Sequence, residues 1–143
     1  MHKYLLLGLL MSCAVEDYRK KEMTLTYLLL FGIAGLLLHL CNPICSIFSI
    51  LWGMLLGAGM ILISMLSRGN VGLGDGILLI ITGIYLGGNE NLELLCIGLA
   101  LAGCWSLGLL FFGKKGKKDK IAFAPFLLIA YVTMLMGNYG NLS

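Results

Sequence analysis

Six apolar runs, at residues 4–15, 24–41, 44–66, 77–88, 92–112 and 121–136, fill most of this chain and are separated only by short polar breaks. That pattern leaves few architectures open. With 59% hydrophobic and 12% charged residues over 143 positions, the chain holds more apolar surface than a soluble core of its size can hide, so one membrane-embedded domain is expected. The runs lack the polar–apolar alternation of barrel strands, and a lipid-exposed backbone must satisfy its own hydrogen bonds. The expected fold is therefore all-α, a polytopic bundle of about six transmembrane helices.

Basic residues orient the bundle. Arg19, Lys20 and Lys21 follow the first run, Arg68 follows the third, and Lys114, Lys115, Lys117, Lys118 and Lys120 separate the fifth from the sixth. The breaks at residues 39–43 and 87–93 carry no Lys or Arg. The positive-inside rule then places both termini outside and the basic loops in the cytoplasm, with only Lys3 against the trend. The net charge of +3 reads as this topology signal, with the lysine-rich loop solvated beside anionic lipid, and not as a nucleic-acid surface. A lipoprotein-type signal ending at Cys13 would leave Arg19, Lys20 and Lys21 outside, against the same rule.

The remaining special residues read as packing. Cys13, Cys41, Cys45, Cys96 and Cys104 form no CxxC pair and suit small apolar contacts better than metal or disulfides. His39 has no second ligand at helical spacing and reads as interfacial, so neither a metal nor another cofactor is expected. Trp52 and Trp105 lie inside their runs. Gly53 with Gly57, and Gly83 with Gly87, are small-residue pairs suited to close helix packing within one chain. Nothing in the sequence specifies an oligomeric state.

The acids stand out more. The first run reaches only from Lys3 to Asp17 and the fourth from Asp75 to Asn89, short of the roughly 20 residues that cross a hydrocarbon core. Counted inward at about 1.5 Å per residue, both aspartates fall roughly 20 Å from the outer boundary, at one level near the cytoplasmic face. Singly, Asp17 could pair with Arg19 or Lys21, and Asp75 could merely cap a helix starting at Gly76 or Ile77. Together they suggest a site, because intramembrane acids usually face a functional cavity. Gly69, Gly72 and Gly74 would let a glycine-rich loop before the short fourth helix carry Asp75 inward. Glu16 points about 100° away from Asp17 on a helix, so only one of the two can face that cavity.

The segment Gly72-Leu73-Gly74-Asp75 resembles the GxGD signature of intramembrane aspartic peptidases, the group that holds prepilin peptidases, archaeal preflagellin peptidases and presenilin. Residues 17–23, DYRKKEM, are similar to the first-aspartate motif of prepilin peptidases, with Arg19 and Lys21 as its basic residues. Residues 120–131, KIAFAPFLLIAY, are similar to the family's late IPFGPFL segment, with Phe123, Pro125, Phe126 and Leu127 in place. Departures are Met23-Thr24 where the family has Ile-Pro, Ile77 where it often has Lys, and Ala122 and Ala124 for Pro and Gly. The paired CxxC motifs of long forms are not matched. The resemblance therefore implies a short-form peptidase without methyltransferase activity, like those serving tight-adherence pili or archaeal flagellins.

Asp17 and Asp75 are then expected as the catalytic pair, in a prokaryotic plasma membrane and facing the cytoplasm, with Gly72, Gly74, Arg19, Lys21 and Pro125 in support. The implied partners are prepilins or pseudopilins, each with a basic leader before an apolar helix, and membrane lipid; Glu22 is a candidate for the leader. Helix-end positions suggest Asp75, at a helix start, as the initial base and Asp17, at a helix end, as the initial acid. Rival readings are a pilin-binding pseudoenzyme and a small membrane transporter or accessory subunit, although the halves show no convincing repeat.

Overall fold

In the computed structural model, which describes residues 2–20, 25–43, 45–66, 72–113 and 122–140, the chain forms six α-helices and, among those residues, no strand. They are α1 (His2–Lys20), α2 (Leu25–Cys41), α3 (Ile47–Leu66), α4 (Leu73–Leu86), α5 (Gly88–Phe111) and α6 (Ala124–Gly140). Each apolar run becomes one helix, with several ends shifted by up to about one turn; α5 begins at Gly88 and α6 runs on to Gly140. α1 continues one turn past Asp17, and α4 begins at Leu73, two residues before Asp75. Lys21, Glu22, Met23, Thr24, Arg68, Gly69 and the lysine-rich loop from Lys114 to Lys120 lie outside the described residues.

The shortest helix is at the centre. α4 packs most extensively on α3, also meets α2 and α5, and touches α1, while α6 lies against α1 and α5. Leu78, Leu79, Ile81, Tyr85 and Leu86 of α4 are consequently buried. Leu6, Leu9, Leu10, Cys13 and Ala14 form the inward stripe of α1, at the three- and four-residue spacing of one helix face, and meet Leu127, Ala130 and Tyr131 of α6 in the same core.

The α3–α4 contact is made by backbone. A Cβ added to Gly57 would sit 2.5 Å from the Ile80 amide nitrogen and 2.9 Å from the Gly76 carbonyl, and one on Gly83 would sit 2.6 Å from the Gly53 carbonyl carbon. Gly53 and Gly57 thus act within the chain, as their spacing suggests, against Gly76, Ile80 and Gly83. Gly87 alone joins α4 to α5 with φ 78°, a backbone conformation that side chains rarely adopt.

A buried polar cluster ties three helices together at this seam. The Thr82 hydroxyl donates to Asn91 Oδ1 at 2.6 Å, while Asn91 Nδ2 donates to the carbonyls of Gly53 (3.1 Å) and Leu79 (3.0 Å). Both residues are fully buried, and the amide uses its oxygen and both protons, as burial requires. Elsewhere the Tyr85 hydroxyl donates to the Phe31 carbonyl (2.8 Å), joining α4 to α2, and the Tyr131 hydroxyl donates to the Lys3 carbonyl (3.1 Å), joining α6 to α1.

Two helices, α3 and α5, are long and apolar enough to cross a membrane; α2, α4 and residues Ala124–Asn138 of α6 are shorter apolar helices. Large apolar side chains face outward in number, among them Phe48, Leu51, Leu62, Leu66, Leu107 and Phe111. Trp52 and Trp105 are more exposed than packing residues inside a bundle would be, at 55% and 58%. Trp52 covers Gly88, and the Trp105 ring lies 6.4 Å from that of Phe126, so each packs by one face only. All five cysteines are free, and only Cys13 is buried.

Candidate active site

Asp17 sits at the end of the inward stripe of α1, four residues beyond Cys13 and eleven beyond Leu6, so helical geometry turns it toward the core. It is 8% exposed, whereas its neighbour Tyr18 is 78% exposed, and Arg19 and Lys20 are exposed as well. Glu16 is only half-buried, and of the two neighbouring acids Asp17 is the one that enters the bundle. On α4, Asp75 occupies the first turn, on the face that continues through Leu79 and Thr82 to Leu86. It too is 8% exposed. The two carboxyls, brought in by different helices, lie close enough for the charge of Asp17 to act on Asp75.

Their polar surroundings differ. The Ala124 N–H, at the start of α6, donates to Asp17 Oδ2 at 3.2 Å, and the neighbouring Phe123 amide also faces that carboxyl. Asp17 thereby caps a helix 107 positions away in sequence. Pro125 follows within the first turn of α6, where its missing N–H leaves no donor unsatisfied and its fixed φ suits the helix.

Asp75 receives no such help from the described residues. It is not the N-cap of α4, which is Gly72 (φ −67°, ψ 127°), and no side chain caps that end. Its own amide donates to the Gly72 carbonyl at 3.1 Å, and its carboxyl folds back over the glycine so that a Cβ there would come within 3.0 Å of Asp75 Oδ2. Gly72 therefore makes room for the acid. Gly74 lies in the first turn of α4 between them.

Of the expected site residues, the structure brings together Asp17, Asp75, Gly72, Gly74 and Pro125; Arg19 points outward and Lys21 lies outside the described residues. The helix-end positions behind the expected acid and base roles are found, with Asp75 in the first turn of α4 and Asp17 in the last turn of α1. What they leave out is a second helix end at Asp17, whose carboxyl also meets the start of α6. The backbone donors of Phe123 and Ala124 were not legible as site elements, although the Ala-Pro step in an otherwise apolar stretch marks a helix start with amides to offer. The Thr82–Asn91 cluster was also missed, and its signal was two polar residues inside apolar runs.

A cavity of about 330 Å³ lies at the far end of α6, lined by Glu90, Glu93, Thr133 and Asn138 with apolar neighbours, well away from both aspartates. No protein-family model, characterised protein or solved structure matches this chain.

Proposed function

We propose that this chain is an intramembrane aspartic endopeptidase of the prepilin-peptidase type, which removes basic leaders from prepilin-like proteins at the cytoplasmic membrane face. One observation carries the reading: two buried aspartates, on the touching helices α1 and α4, lie within electrostatic reach of one another inside an apolar bundle. An acid taken out of water is expensive, and two near each other more so, which is why such pairs are kept for chemistry. The membrane setting rests on the span-length helices α3 and α5, the outward apolar side chains and the basic loops of the sequence.

The chemistry suits a pair that shares one proton. The ionised carboxyl takes a proton from water as the water oxygen bonds to the scissile carbonyl carbon, and the protonated carboxyl gives its proton to the carbonyl oxygen. Collapse of the tetrahedral species breaks the C–N bond, protonates the departing amine and returns the pair to its starting state. Water and peptide are consumed, and an acid and an amine are released.

Co-expression with a prepilin from the same source tests the reading through the mass of the pilin. The wild-type chain removes the leader, and Asp17→Ala and Asp75→Ala each lower the rate by about 10³-fold or more. Full-length pilin beside the wild-type protein, for every neighbouring pilin tried, sinks the proposal. Cleavage retained in Asp17→Ala but lost in Glu16→Ala would move the first acid by one residue.

A further inference from the structure

The unequal surroundings of the two aspartates have a chemical consequence. An ionised carboxyl only accepts hydrogen bonds, whereas a protonated one must also donate. Asp17 faces backbone N–H groups, which can only donate, at a helix start whose unsatisfied amides carry partial positive charge. These donors cannot turn away. Phe126 and Leu127 both donate to the Phe123 carbonyl, at 3.0 and 3.2 Å, which locks the first turn of α6. Ala124 is fully buried and Phe123 nearly so. At the start of α1, the Lys3 carbonyl is held by the Tyr131 hydroxyl from the middle of α6. α1 is thus tied to α6 near both of its own ends, and Pro125 contributes no N–H that would compete with Asp17 for a position.

We infer that the first turn of α6 is a positioning element of the dyad, holding Asp17 as the ionised, water-activating member and leaving the shared proton on Asp75. The inference rests on the peptidase reading for its catalytic meaning, and it reverses the roles that helix-end positions suggest from sequence. Asp75, buried and with no donor among the described residues, is the member that loses least by carrying the proton, because two adjacent carboxyls do not both ionise cheaply. In the reaction, Asp17 takes the water proton while Asp75 protonates the carbonyl oxygen. On collapse, Asp17 delivers its proton to the amine nitrogen and Asp75 recovers one from the tetrahedral hydroxyl.

Infrared spectroscopy of the full chain in lipid nanodiscs, without substrate, reads where the proton sits. The carbonyl stretch of a protonated carboxyl is expected in wild type and in Asp17→Asn, and is expected to vanish in Asp75→Asn. A band that survives in Asp75→Asn and vanishes in Asp17→Asn, or no such band in wild type, overturns the inference. This readout does not need cleavage, so a protein that cuts no pilin but shows the expected bands would refute the peptidase reading and leave the proton assignment standing. Ala124→Pro adds a kinetic arm. It deletes one donor at a helix start that accepts proline, and is expected to lower kcat by about tenfold to a hundredfold with KM unchanged. An unchanged kcat in the folded variant overturns the positioning role, and a variant that does not fold leaves the decision to the infrared bands.

Discussion

The contact between α3 and α4 and the contact between α1 and α6 place one aspartate each, and they do so by different physics. At the α3–α4 seam, glycines let two backbones touch, so any added carbon at Gly57 or Gly83 collides with main chain. Steric exclusion leaves α4 a single register there, and Thr82 and Asn91 complete it with hydrogen bonds that reach Gly53. The α1–α6 pair instead meets through leucines, alanines and Tyr131, and gains its register from hydrogen bonds near the two ends of α1. Asp75 is therefore located by shape and Asp17 by directional polar contacts.

The largest effect on stability is expected at the glycine seam. Gly57→Ala should destabilise the protein by about 1–3 kcal/mol, as overpacking against backbone does, and lower cleavage in step, measured by denaturant unfolding in micelles together with the pilin assay. Wild-type stability in this variant would break the claim that shape sets the α4 register. Asn91→Leu comes next, at about 1 kcal/mol, the scale of interhelical hydrogen bonds in membranes. Combining it with Thr82→Val should add little further loss, because the two residues share one cluster. Full additivity in that cycle would show that they act separately. The smallest change is expected for Tyr131→Phe, about 0.5 kcal/mol from the one hydrogen bond that holds the start of α1 to the middle of α6. A loss as large as that of Gly57→Ala would erase the distinction between the two contacts.

The six helices were legible because the apolar runs and their polar breaks are local features, and helix formation follows from them almost directly. Asp17 and Asp75 were legible for a related reason: each is an acid where a run becomes too short. Their helix ends were less so. The fourth helix was expected to begin at Gly76 or Ile77, yet α4 starts at Leu73 with Gly72 as its N-cap, and the Asp75 carboxyl folds back over that residue without a side chain. Asp17 was expected at the end of α1, yet the helix runs on to Lys20, and its polar tail is exposed where hydrophobic patterning says nothing. The tryptophans were misjudged for the opposite reason, as position within an apolar run does not tell which side of the helix faces the bundle.

By itself the sequence determined that there are six helices, which stretches form them, and which two acids are drawn into an apolar interior. Backbone hydrogen bonding and hydrophobic periodicity act over a few residues and can be read there. Only the tertiary structure decided that the carboxyl of Asp17 meets the start of α6 and that Asp75 has no such donor among the described residues. Those facts depend on the register between helices far apart in the chain, which the glycine seam and the interhelical hydrogen bonds set when the bundle closes.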